Sequence, residues 1–298
     1  MPLTQRVMVG AIAFYQANFN IMTSIAITGA TGFVGRQVLK YLSQGDHNIK
    51  ILTRKPQIAD QYQANIKVIE VENLFHEKIE LLTEILKDVE ILIHLAWYAE
   101  PGKYLTSSLN IDCLTGTLNL AQAFSLAGGK RFIGIGTCFE YDLDQCLLSV
   151  DTPLKPKTIY AASKASAFQL LTQILSISKV EFVWCRLFYL YGEGEDYRRF
   201  VPYLKQQLSN GEIAELTSGE QIRDFLNVQD AGRMIAEEAL GSHQGATNIC
   251  SGIPVTVRQL AEKIADHFNR RDLLKFGSRP DNLIDPPCVV GVRGRITR

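Results

Sequence analysis

A β-branched run at residues 24–28 leads straight into Gly29-Ala-Thr-Gly32-Phe-Val-Gly35, and an amphipathic stretch, residues 34–43, follows at once. A strand, a glycine turn and a helix in that order form one βα unit, the context a dinucleotide site needs. The glycines permit a tight turn and let backbone approach a pyrophosphate closely. The helix start offers free N–H groups and the positive end of its dipole. Gly29, Thr31, Gly32, Phe33, Val34 and Gly35 are therefore candidate cofactor contacts, although the spacing is GxxGxxG rather than GxGxxG.

The rhythm of the first βα unit continues. Apolar runs of strand length recur at 49–53, 66–71, 91–95, 132–135 and 182–187. Helical patterns lie between them at 74–86, 104–127 and 160–178. Strands alternating with helices predict an α/β fold of Rossmann type: a doubly wound parallel sheet covered on both faces. After about Tyr191 the rhythm loosens, with helical segments at 199–208, 228–240 and 257–268 between short extended pieces. Residues 22–190 read as the dinucleotide-binding domain and 191–298 as a smaller, partly interleaved lobe that closes over a second ligand. Residues 1–21 faintly resemble a signal peptide but have no small-residue cleavage signature. They are read as an upstream extension, not part of the core, of a cytoplasmic protein.

Composition narrows the partners. Hydrophobic residues make up 46% and charged residues 21%, and 31 basic side chains balance 31 acidic ones. No Lys/Arg run suggests nucleic acid, and no segment suggests a membrane span. The six cysteines are scattered with no metal-ligand spacing, so no metal is expected and the thiols read as reduced and mostly buried.

Three further positions carry chemistry. Arg54 and Lys55 end the second strand, where an acidic residue binds a ribose 2′-hydroxyl and a basic one accommodates a 2′-phosphate. Two cations there favour NADP(H) over NAD(H). Their alternative is two solvated loop charges. Tyr160 and Lys164, in YAASK, share a helix face. A nearby ammonium group and a positively charged nicotinamide favour the phenolate, which makes Tyr160 a general acid or base. Thr137 ends a strand at the carboxyl edge of the sheet, where its hydroxyl can meet a substrate oxygen.

These pieces together resemble the extended short-chain dehydrogenase/reductase family, in its nucleotide-sugar epimerase, dehydratase and reductase branch. The resemblance runs from about Ser24 to Arg279 and includes GATGFVG, IHLAW (93–97), the strand-end threonine, YAASK, CRLFYLYGEG (185–194) and RDFLNVQDAG (223–232). It implies that Thr137, Tyr160 and Lys164 are catalytic, that Leu95 and Ala96 line the cofactor, and that Arg223 binds the substrate diphosphate. Arg223 has a structural alternative, an ion pair with Asp224. Arg279 is a second candidate phosphate contact, or a surface arginine.

The departures from the family pattern are informative. The 4,6-dehydratases follow their threonine with Asp-Glu; here Cys138-Phe139 stand there, and Glu140, one place on, is expected to point elsewhere. Tyr189 replaces an asparagine three places after Arg186, which changes the substrate contact. The chain stops at Arg298, where the family usually adds a helical segment, so it is a short version or a truncated one. The resemblance then implies an NADPH-dependent reductase of a nucleotide-linked 4-keto-6-deoxyhexose. A 4-epimerase holding NAD(P) tightly and a non-catalytic NADP sensor are the alternatives. It also implies a homodimer through the 104–127 and 160–178 helices, whose apolar stripes carry Leu109 and Leu170; the alternative is that both stripes are core.

Overall fold

The computed structural model describes residues 23–55, 65–281 and 286–293; the expectation for residues 1–21 lies outside them. The strands are β1 (Ser24–Thr28), β2 (Asn48–Thr53), β3 (Ile66–Glu70), β4 (Ile91–His94), β5 (Arg131–Thr137), β6 (Leu147–Leu148) and β7 (Glu181–Leu187). They continue with β8 (Tyr189–Tyr191), β9 (Ala214–Glu215), β10 (Ile222–Asn227), β11 (Gly245–Ile249), β12 (Pro254–Thr256), β13 (Leu274–Lys275) and β14 (Cys288–Gly291). The α-helices are α1 (Gly35–Leu42), α2 (Ile79–Ile85), α3 (Leu109–Leu126), α4 (Ile159–Ile177), α5 (Phe200–Asn210), α6 (Val228–Leu240) and α7 (Val257–Phe268).

Seven strands form one sheet in the order β11-β7-β5-β4-β1-β2-β3, with every neighbouring pair parallel. All residues of β4 and β5 are buried, as both-face coverage requires. On one face Val38, Leu39 and Leu42 of α1 and Ile235, Ala236 and Ala239 of α6 cover Ile25, Ile27 and Ile51. On the other, Leu120 and Phe124 of α3 and Leu171 and Leu175 of α4 pack on Leu92, Phe132, Phe182 and Trp184.

The smaller lobe holds a second sheet, β12-β10-β14-β6, with β8 also paired to β10. Helices α5 and α7 share a separate core there through Leu204, Leu208, Leu260 and Ile264. The two parts interleave: β11, late in the chain, closes the large sheet against β7, while β6, from the first half, pairs with β14.

Two expected helices change at their starts. The 74–86 stretch splits into a 3-10 turn at Leu74–His76 and α2, because Glu77 and Lys78 are extended. The 104–127 pattern becomes helical only at Leu109. The Asn110 side chain donates to the carbonyls of Tyr104 and Ser107 and holds the approach as a turn.

The cysteine expectation needs a correction. Cys113, Cys138, Cys185 and Cys250 are free and buried, but Cys146 and Cys288 form a disulfide across 142 residues. The parallel pairing of β14 with β6 brings their Cα atoms to 4.8 Å, a proximity that sequence spacing does not reveal.

Candidate active site

Strand order reverses direction between β1 and β4, and ligands bind in such sheets at the carboxyl ends of the strands beside that reversal. The turn after β1 lies there. Gly29 has φ +71°, and a Cβ on it would sit 2.6 Å from the Ala96 nitrogen and 2.8 Å from the Leu95 carbonyl carbon. Only glycine allows the two loops to meet this closely. Beneath them a buried relay ties β1, β4 and α3 together. Thr28 Oγ1 lies 2.7 Å from His94 Nδ1, and His94 Nε2 lies 2.8 Å from Thr117 Oγ1. Thr117 donates to the Cys113 carbonyl, so His94 donates from Nε2 and accepts the Thr28 hydroxyl at Nδ1. Burial first, and the Lys164 charge second, pull the His94 imidazole down to about 3, so it stays neutral.

A cleft of about 660 Å³ opens above this point. Gly29, Gly32, Phe33, Val34, Gly35 and Leu95 line one end, while Thr137, Tyr160, Lys164 and Tyr189 line the other. Helix α4 starts just before Tyr160, where Thr158 caps it by accepting from the Ala161 N–H at 3.1 Å. Tyr160 and Lys164 therefore occupy the first turns and face into the cleft. The Thr137 hydroxyl hydrogen-bonds the Tyr160 phenol, and Tyr104 packs edge-on to the same ring with centroids 4.8 Å apart. Lys164 Nζ donates to the Ile135 carbonyl at 2.7 Å and sits 3.6 Å from the centre of the Trp97 ring. Trp97 is itself held by donating to Asn110 Oδ1 at 2.8 Å.

In the free protein, burial dominates the electrostatics of the pair. Burial, then the charges of Tyr104 and Glu140, raise the Tyr160 phenol well above its ordinary value, against the Thr137 hydrogen bond. Burial pulls Lys164 down to about 7, opposed by Glu140. Desolvation of both groups outweighs the attraction expected between an ammonium and a phenolate. The phenol is therefore a protonated group, set to donate. Burial also pushes the Cys138 thiol up to about 12, which makes it a poor acid or base near neutrality.

Glu140 does point away from the cleft. It is fully buried, with Oε1 accepting the Thr137 N–H at 2.8 Å and Oε2 paired to Arg186 Nε at 2.7 Å. Trp184 Nε1 donates to the same carboxylate at 3.0 Å. Trp184 fits there because β5 presents Gly134 and Gly136 beneath its indole.

The remaining candidates fall outside the cleft lining. Arg54 and Lys55 are exposed just past β2, and Ala96 backs Gly29. Thr31 accepts from Arg36 through its carbonyl. Arg223 is buried behind Tyr189, its guanidinium 5.2 Å from that ring. Its neighbour Asp224 accepts from Ser251, Gly252 and Gly291 backbone N–H groups. Arg279 is exposed and donates to Tyr203. Sequence reasoning passed over Trp97 and Glu195, both of which line the cleft. Burial raises the Glu195 carboxyl, and its oxygen accepts from Gly192. Nothing in an isolated Trp or Glu announces such a position.

The model of the NAD dependent epimerase/dehydratase family matches residues 25–250. The chain belongs to that family. Its fold and its NAD(P)-dependent oxidoreductase type, that of extended short-chain dehydrogenase/reductases, follow. Among curated relatives, it is 24% identical over 278 residues to dTDP-6-deoxy-L-talose 4-dehydrogenase (NAD(+)) of Aggregatibacter actinomycetemcomitans, covering 91% of this chain and 100% of that one. It is 25% identical over 212 residues to CDP-abequose synthase of Salmonella typhimurium, covering 69% and 66%. Among solved structures, UDP-N-acetylglucosamine 4-epimerase from Methanobrevibacter ruminantium superposes with a TM-score of 0.79 at 22% identity, over 91% of this chain and 90% of that one. Family members modify nucleotide sugars, and the glycine cradle with its close backbone approach fits a dinucleotide. Among the described residues no group could hold a metal ion, and no helix is long and apolar enough to cross a membrane.

Proposed function

We propose that this protein is an NADPH-dependent reductase of a nucleotide-linked 4-keto-6-deoxyhexose. The carrying observation is the protonated Tyr160 beside Thr137, with a thiol of raised pKa at Cys138 and Glu140 turned into the core. A reduction needs one proton donor at the carbonyl oxygen; a dehydration needs an added acid and base, and the two positions after Thr137 hold Cys138 and Phe139 instead. Thr137 orients the carbonyl by a hydrogen bond. Tyr160 passes its phenolic proton to the oxygen as the alcohol forms. When bound, the nicotinamide supplies the hydride for the ketone carbon. Lys164 exchanges its contact with Ile135 for the cofactor ribose, and its ammonium supports the phenolate left on Tyr160. The glycine turn at 29–35 holds the pyrophosphate, and Arg54 and Lys55 take the 2′-phosphate. The relative named for NAD(+) acts at C4 of a 6-deoxyhexose and supports the reaction more than the cofactor choice. Tyr189, Arg223 and Arg279 are assigned to substrate.

The test is NADPH turnover with dTDP-4-keto-6-deoxyglucose. A reductase consumes NADPH stoichiometrically, a 4-epimerase shows no net consumption, and a sensor only binds. A homodimer is part of the same reading, since Leu109 and Leu126 on α3 and Leu170 and Ile177 on α4 are exposed. Light scattering is expected to give twice the 33.3 kDa of one chain; a monomer mass removes the dimer.

A further inference from the structure

A buried polar assembly lies under the reaction centre and has no part in the chemistry above. Glu140 and Tyr141 are fully buried, and Arg186 and Asn248 are nearly so. Arg186 joins Glu140 through Nε, and through NH1 it donates to the Tyr141 hydroxyl at 3.0 Å. Tyr141 donates to Asn248 Oδ1 at 2.7 Å, and Asn248 donates to the carbonyls of Leu148 and Val292. Arg186 is sandwiched between the rings of Tyr141 and Phe168, at 4.6 and 4.7 Å.

A buried ion pair contributes little net stability against an apolar pair of the same shape. This one meets the site at a definite place. The carboxylate bonds the main-chain N–H of Thr137, the residue whose hydroxyl contacts Tyr160. Thr137 in turn accepts from Phe139, so the turn after β5 is closed from both ends. We propose that Glu140, held by Arg186, is a positioning residue: it locks Thr137 at the reaction centre and places a buried negative charge behind Tyr160 and Lys164.

The Tyr160 and Lys164 environments agree. The ionisable groups facing Tyr160 are Tyr104, Cys138 and Glu140. Those facing Lys164 are Cys113 of α3, His94 of β4 and Glu140. The Glu140 charge raises proton affinity at both positions, so it holds the Tyr160 phenol protonated and opposes the burial that lowers Lys164.

The positioning half rests on the proposed reduction; the charge half does not, and the test separates them. Two variants serve: Glu140→Gln, which keeps an acceptor for Thr137, and Glu140→Gln with Arg186→Met, which removes both charges. Without any sugar, NADPH affinity is measured against pH by calorimetry. The expected result is that its decline with rising pH, set in the unaltered protein near the Lys164 value of about 7, moves to lower pH in both variants. With dTDP-4-keto-6-deoxyglucose, kcat is expected to fall about ten-fold in the double variant, where residue 140 loses its hold on Arg186, and by less in Glu140→Gln alone, with little change in KM, because misplacement of a contact group acts on the transition state. In a Thr137→Ala background the same substitutions should add no further loss. An unmoved NADPH profile overturns the charge role. A full, additive loss in the Thr137→Ala background overturns the positioning role. If neither variant folds, the pair serves stability alone and the proposal is overturned. If Tyr160→Phe turns over normally, the reduction mechanism fails, while the NADPH profile still judges Glu140.

Discussion

The two ends of the cleft are built from different materials. At the cofactor end the work is done by backbone: Gly29 in a left-handed turn against the Leu95–Ala96 peptide, and α1 starting just beyond. At the reaction end it is done by side chains whose properties come from burial: Tyr160 held protonated, Lys164 brought near neutrality, and Glu140 charged in the core. A backbone cradle tolerates no added atom but needs no particular charge. A side-chain centre keeps its shape under substitution and loses its chemistry. Variants at the two ends should therefore fail in opposite ways.

The sharpest division is expected at the reaction end. Tyr160→Phe keeps the ring against Tyr104 and should leave NADPH affinity near its original value, while kcat falls by roughly 10²–10⁴. Stopped-flow turnover beside equilibrium titration checks it; a parallel loss of affinity would erase the contrast between the two ends. At the cofactor end Gly29→Ala adds a Cβ 2.6 Å from Ala96 and forces alanine into a left-handed turn that costs about 1–2 kcal/mol before any clash. Affinity for NADPH and NADH should drop together by about ten-fold or more. Calorimetry with both cofactors reads it, and a loss confined to kcat would contradict the backbone account.

A smaller effect is expected at Arg54. It lies on the cofactor side but acts by charge. Arg54→Asp should abolish or reverse a preference for NADPH over NADH, a change of roughly ten-fold for the loss of a charged hydrogen bond. If the unaltered protein already prefers NADH, the assignment of Arg54 and Lys55 falls. The mildest effect is the pH dependence. Binding gives the Lys164 ammonium acceptors on the cofactor, which raises its affinity for a proton. The binding gain is then complete below about 7, the free-protein value, and declines as pH rises above it. Calorimetry in buffers of different ionisation enthalpy should show proton uptake on NADPH binding; release would invert the sign and the argument.

The same contrast explains what the amino-acid sequence reveals. The glycine turn, the parallel sheet and the α4 pair are legible because each depends on local spacing: three glycines, alternating apolar runs, residues four apart on a helix. Helix α7 runs over residues 257–268 as its pattern predicts. The centre's electrostatics are not legible, because desolvation depends on what the fold places around a group. Tyr160 and Lys164 are visible as a pair four residues apart, but not the burial that raises the phenol and lowers the amine in the free protein. Glu140 is visible as a carboxylate in the wrong place for dehydration, but its partners lie 44 and 46 residues away on β7. The Cys146–Cys288 bond and the β6–β14 pairing are hidden for the same reason, being contacts between distant parts of the chain.

The interleaving of the two lobes has a consequence for how the protein is made. A ribosome delivers β1 to β7 first, and these strands leave β7 with an open edge until Gly245–Ile249 emerges to cover it. Residues 147–148 wait longer still, for a strand at 288–291. The nascent chain therefore passes through a stage in which most of the cofactor sheet exists with an uncovered margin, the condition under which partly built domains aggregate. Completion is a late event: the strand at 288–291 returns to residues 147–148 at mid-chain only after every residue that lines the cleft has been made.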